Sequence, residues 1–123
     1  MSEIDDRIEK GRALSGRLFA GAPRNANSTM PKKLQEYTTG HLFGDVWQGD
    51  DLSLEDRSLI TCTTLVALYR LNEQKVHFTG AKNLGIPRAK IEAMITHVAH
   101  YAGWPCAASA VTVLNEVWPA EAG

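Results

Sequence analysis

The chain has 123 residues, 44% of them hydrophobic and 22% charged, with a formal net charge of −1. That length suits one domain with its own core, and that charge balance lacks the basic footprint of a nucleic-acid binder. No apolar run reaches the length of a membrane span, and the acidic, polar opening MSEIDDRIEK is unlike a signal or transit peptide, so a cytoplasmic protein is expected.

Ile4 to Phe19 carries apolar residues at helical intervals and stops near Gly21, which predicts a first helix with its early acids at the favourable end of the dipole. Ala20 to Met30 is loop by composition. Pro31 opens a second helix to Trp47, carrying Leu34, Tyr37, Leu42, Phe43, Val46 and Trp47. Gly40 weakens it from within, and His41 reads as a surface or packing residue. After the turn Gln48 to Leu52, Ser53 starts a Ser-x-x-Asp arrangement that resembles a capping box. Leu59 to Leu71 is apolar nearly all round, which predicts a central, buried helix with Arg70 in its last turn.

The stretch Leu71 to Pro105 gathers three of the four histidines. Asn72 is a favourable N-cap for a helix over Glu73 to Leu84, and Gly85 sits where a left-handed residue would end it. Pro87 suits the first turn of the next helix, through Ala102. Glu73 and His77 are four apart and share a face; so do His97 and Tyr101. The stripe Ile91, Met94, Ile95, Val98 and Ala102 leaves His97 and Tyr101 on its flank and points His100 away, toward solvent or a subunit contact. If the two helices form an antiparallel hairpin, the two polar pairs meet across its seam. Pro105 begins a last helix to Val117, with Val111, Leu114 and Trp118 as packing residues and Pro119 after it. No strand pattern, repeat or low-complexity segment interrupts the series. Cys62 and Cys106 sit among apolar neighbours without CxxC spacing, so both read as free, buried or half-buried thiols. The reading is an all-α single domain of about six helices.

Four segments in order carry a resemblance: Arg57 to Thr61 (RSLIT), Glu73 to His77, Gly80 to Gly85 (GAKNLG), and His97 to Pro105. Together with the preceding FGDVWQGDDLSLEDR they resemble the carboxymuconolactone decarboxylase family, well over 42–118 and loosely over 1–41. The resemblance implies an AhpD-like helical fold that assembles into a ring-like oligomer, a homohexamer or homotrimer. It implies cofactor-independent decarboxylation of a small carboxylated lactone or cyclic acid in aromatic compound catabolism. A thiol peroxidase branch of the same fold uses a CxxC pair; the matching positions here are Arg70 and Glu73, so that chemistry has no nucleophile. Its relay glutamate is replaced by Ser58. Asn72-Glu73-Gln74 stands where the decarboxylase pattern reads His-Glu-Leu, and Trp104 replaces a smaller residue.

These positions give the expected site. His77 is the candidate proton donor, since histidine titrates near neutrality. Glu73 would hold its tautomer or stabilise the imidazolium, His97 would polarise a carbonyl or share the proton, and Tyr101 would donate to a developing oxyanion. Arg57 would pair with a substrate carboxylate, with Ser58 and Trp104 beside it. A zinc site from His77, His97 and Glu73 is set aside for want of a paired-histidine motif, so no metal or cofactor is expected. The competing readings are lactone isomerisation or hydrolysis in the same pocket, or an oligomeric binding protein without catalysis. The expected partners are a small-molecule substrate and other copies of the chain, not nucleic acid or membrane.

Overall fold

Residues 3–23 and 30–121 are described by a computed structural model, and every regular element among them is helical. Residues 24–29 of the predicted loop lie outside the described residues. Helix α1 (Glu3–Leu18) carries Glu3, Asp5 and Asp6 in its first turn and Arg17 in its last, the charge order that suits the helix dipole. It buries Gly11, Leu14 and Leu18.

The second predicted helix is broken into three. Helix α2 (Lys32–Glu36) runs into a π-helical segment, Tyr37–Phe43, and then a 3-10 turn, Val46–Gln48. The reason lies in how tightly this segment lies on α1. A Cβ at Gly11 would sit 1.8 Å from the Thr39 carbonyl oxygen, and one at Gly44 would sit 2.0 Å from that of Arg7. Backbones in such contact leave no room for side chains, so both glycines are required by proximity. The sequence pattern shows the glycines but not the widened turns they permit.

Helix α3 (Leu54–Ala67) is capped as predicted by Ser53, whose Oγ accepts from the Asp56 N–H at 3.0 Å. It stops short of the expected Leu71. Tyr69 adopts φ 61°, the Tyr69 N–H bonds Val66 O, and the Arg70 N–H bonds Leu65 O. That is a Schellman cap with tyrosine in the usual glycine place. Arg70 therefore caps the next helix instead of closing this one, and Asn72 lies inside α4 (Leu71–Asn83) rather than before it. Nor is α3 buried all round: Ser58, Cys62 and Val66 face inward, while Ile60 is half exposed and Leu68 more so.

Gly85 ends α4 as expected, at φ 83°, with its N–H on Lys82 O and the Ile86 N–H on Ala81 O. Ala81 and Ile86 are both buried, the apolar contact that accompanies this cap. Helix α5 (Arg88–Ala102) buries Ile91, Met94, Ile95 and Val98, the predicted stripe, with Ala102 half-buried. Helix α6 (Trp104–Val117) buries Ala107, Ala110, Val113 and Leu114 but leaves Val111 largely exposed.

Chain order sets only part of the packing. Helix α3 pairs with α4 and lies on α5, α4 and α5 each pack on α6, and α1 covers the π segment and α4. The predicted α4–α5 hairpin is absent: the two helices do not pack along their lengths, because each buries its stripe on α6 and α3 instead. Phe78, Leu18, Ile91, Leu114, Val66 and Cys62 are fully buried at the centre of this single domain, with Gln74 and Ser58 as polar members. Each large apolar side chain there contributes roughly 1.5–3 kcal/mol of burial. Asn83 ties α1 down from below, its Nδ2 donating to Leu18 O at 2.9 Å and Ala20 O at 2.8 Å.

Candidate functional site

Two contacts set the register of α3 against α4. The Cys62 thiol donates to His77 O at 3.4 Å, and Gln74 Nε2 donates to Leu65 O at 3.2 Å. Higher numbers on one helix meet lower numbers on the other, so the pair is antiparallel.

The two helices also carry a set of enclosed polar atoms. Among the described residues, the side-chain atoms enclosed without a hydrogen-bond partner are Arg57 Nε, Ser58 Oγ, Gln74 Oε1 and His77 Nδ1. All of them belong to α3 or α4. Buried polar atoms are normally paired, so such a concentration marks where a polar ligand or ordered water would complete the structure.

One aromatic ring rests on His77, at the head of a row of three. Phe19, just past α1, meets its imidazole edge-on at 5.2 Å. Phe43 of the π segment meets Phe19 at 5.4 Å, and Trp47 meets Phe43 at 5.5 Å. Burial pushes the His77 pKa down to about 4 from its ordinary 6.5, while the charge of Glu73 one turn away pulls the other way. The ring is therefore neutral at neutral pH. Glu73 itself is exposed and forms no hydrogen bond or ion pair with it among the described residues. The expected tautomer-holding contact is not made; Glu73 acts on the ring by charge alone.

Arg57 donates from Nη2 to Gly49 O at 3.2 Å, which anchors the guanidinium at the turn before α3. No carboxylate lies within ion-pair distance of it among the described residues. Ser58 is buried one turn before Cys62. Burial raises the Cys62 pKa to about 12, and the nearby Ser58 hydroxyl offsets part of that without forming a well-made hydrogen bond. Such a thiol is inert. Cys106 is half-buried, and both cysteines are free.

The remaining predicted residues are elsewhere. His97 and Tyr101 stack at 5.0 Å on the outer side of α5, where Tyr101 is 82% exposed. They line an open cleft of about 460 Å³ with Ala93, Thr96 and His100. His100 is exposed as expected, its Nδ1 2.8 Å from Thr96 O, and Trp104 meets it edge-on at 5.0 Å. Trp104 is 65% exposed and fills no pocket within the chain. Arg57, Ser58, His77 and Glu73 thus belong to the two paired helices of the α3–α4 seam, whereas His97, Tyr101 and Trp104 lie on α5 and α6. No three His, Cys, Asp or Glu side chains among the described residues gather as a metal set. A larger cleft of about 600 Å³, lined by Ile4, Ile8, Tyr37 and His41 among others, shares no residue with the seam. Gln74 is the member that sequence reasoning missed. Its signal was a lone amide on the stripe Gln74, Phe78, Ala81, which is otherwise apolar and wholly buried.

Residues 32–116 match the family described as the carboxymuconolactone decarboxylase family. The match starts ahead of residue 42, where the motifs began, and takes in every residue of the seam. The chain is similar to a 4-carboxymuconolactone decarboxylase of Acinetobacter baylyi, 31% identical over 84 residues, which is 68% of this chain and 63% of that protein. It thus spans less than two thirds of that relative. It is also similar to a nitrosuccinic acid decarboxylase of Metarhizium robertsii, 31% identical over 114 residues, covering 92% of this chain and 79% of the relative.

Proposed function

This chain belongs to the carboxymuconolactone decarboxylase family, and from that premise we propose that it is a cofactor-independent decarboxylase of a small carboxylic acid, with His77 handling the proton. The observation that carries this reading is the set of enclosed, unpartnered polar atoms on α3 and α4, which includes His77 Nδ1 and Arg57 Nε. The names of the two relatives widen the substrate class beyond lactones. A carboxylated lactone and a nitro-substituted diacid both hold a carboxylate near a group that can accept the electron pair left behind by CO2.

The reaction would run in two steps. Arg57 holds a substrate carboxylate by its planar fork. The carbon–carboxylate bond breaks, CO2 departs, and the electron pair moves into the neighbouring carbonyl or nitro group. The carbon then takes a proton from the His77 imidazolium, which returns to its neutral form. That proton comes from solvent when the anionic substrate binds, because a nearby negative charge favours the charged ring. One proton is consumed for each CO2 released. Ser58 would add a hydrogen bond to the bound acid.

His97, Tyr101 and Trp104 find a different role in this reading. The exposed Tyr101 and Trp104, with Ile60 and Leu68 of α3, offer apolar surface for other copies of the chain. A ring-like homo-oligomer would cover them. Light scattering of Tyr101→Glu beside the wild type tests this: a smaller particle is expected, and a monomeric wild type would refute it.

The test of the chemistry is CO2 release from 4-carboxymuconolactone and from nitrosuccinate, with wild type and His77→Asn. Turnover of at least one acid is expected, with a loss of about 10²-fold or more in the variant. Equal rates in both would remove His77 from the reaction. Consumption of the lactone without CO2 would move the chemistry to isomerisation or hydrolysis.

A further inference from the structure

Gln74 is fully buried, one helical turn before His77. Its orientation is fixed: Leu65 O only accepts, so the Gln74 group at 3.2 Å from it is the amide Nε2, and Oε1 faces away. That oxygen can only accept a hydrogen bond, and it has no donor. His77 Nδ1 is enclosed in the same state. Side chains three apart on a helix are neighbours, about 5–6 Å between Cβ atoms. The other enclosed atoms are less well placed. The register of the two cross-contacts sets Ser58 level with Ala81, farther along the helix, and Arg57 is anchored on Gly49. Glu73 forms no hydrogen bond or ion pair with the ring. His77 Nε2, by contrast, is not among the enclosed atoms that lack a partner.

We infer that Gln74 is the positioning residue of His77: its Oε1 accepts, through one buried water, the proton carried on His77 Nδ1, and this leaves the Nε2 lone pair free on the open side. A single water can accept from one group and donate to the other, and buried waters sit where polar atoms lack partners. The bridge makes the ring a one-sided device. Nδ1 is committed inward, and only Nε2 exchanges protons with a ligand. Glutamine here departs from the leucine of the family pattern, so the bridge belongs to this chain. The inference rests on His77 being the proton-moving group, but its structural half stands apart from activity.

The experiment is nitrogen-15 spectroscopy of labelled histidine, which reads which ring nitrogen carries the proton, with His77→Asn to assign the signal. Wild type is expected to show the Nδ1–H form, the reverse of what free histidine prefers. Gln74→Leu keeps the size and leaves Leu65 O its bond from the Arg70 N–H; it should shift His77 toward Nε2–H. Gln74→Met, which also removes the acceptor, should give the same shift and covers the case of a leucine variant that does not fold. In turnover, Gln74→Leu should lower kcat by at least about tenfold with KM little changed, since a misplaced proton impairs acid–base transfer. A wild-type ring in the Nε2–H form, or a tautomer untouched by Gln74→Leu, overturns the bridge. A tautomer that shifts while turnover stays constant upholds the bridge and removes His77 from the chemistry.

Discussion

Acidification isolates the cost of keeping His77 neutral. Its pKa of about 4 in the folded chain lies below the ordinary 6.5, so the unfolded chain binds more protons between those values. Stability linked to this group is therefore fully present above the unfolded value and is lost as pH falls toward the folded one. The whole effect is about 3 kcal/mol, from roughly 1.4 kcal/mol for each tenfold change in proton affinity. About 2 kcal/mol of it is lost between pH 7 and pH 5. Other groups also titrate in that window, so the measurement is a difference. Urea unfolding of wild type and His77→Phe, followed by circular dichroism from pH 7.5 to pH 5, should give curves that converge or cross as the acid limit nears. The phenyl ring keeps the contact with Phe19 and carries no proton. If the two proteins lose stability in parallel, the ring is not held neutral by burial, and the account of the seam fails.

Gly11→Ala would drive a methyl into the Thr39 carbonyl, 1.8 Å from the ideal Cβ; a loss of about 3 kcal/mol or more is expected in the same assay. Ser53→Ala should cost about 1 kcal/mol, since it removes the bond to the Asp56 N–H. Asn83→Ala frees Leu18 O and Ala20 O, and amide exchange should quicken at the end of α1 more than in α3. Iodoacetamide at pH 8 should label Cys106 and spare Cys62, whose pKa of about 12 and burial suppress the thiolate. Mass spectrometry that finds both labelled in the native protein would contradict that burial.

The helices were legible where a local signal decides them. Ser53 caps α3, Gly85 closes α4, and the Ile91 to Val98 stripe is the buried face of α5. The misreadings come from longer range. Tyr69 took a left-handed conformation that its residue type disfavours, and the N-cap moved from the expected Asn72 to Arg70, the helix start from Glu73 to Leu71. The π segment answers to backbone contact with α1 rather than to its own periodicity. The site was half legible. Spacing places His77 and Glu73 on one face, but which helix packs against that face is a matter of topology. Here α4 pairs with α3 and not with α5, so Arg57 and Ser58 lie on the neighbouring helix and His97 and Tyr101 do not. Gln74 was hidden because glutamine is usually a surface residue, and only its burial gives it meaning.

The neutral resting state of His77 bears on how a cofactor-free site would switch itself on. A carboxylate held about 5 Å from the ring would favour its charged form by about 3 kcal/mol at an effective dielectric near 20. That offsets the burial cost and would return the ring to the ordinary histidine range. An empty site would thus carry no proton, and a filled one would take it up only when there is an anion to receive it. Succinate, which has no neighbouring group to accept electrons, serves as a stand-in that binds without losing CO2. Titration of His77 by the same nitrogen-15 spectra should move from about pH 4 without succinate to above pH 6 at saturation. Arg57→Gln should abolish the move by releasing the carboxylate. A midpoint that stays near 4 with succinate bound would mean that the anion sits away from His77, and the imidazolium could not be the proton source.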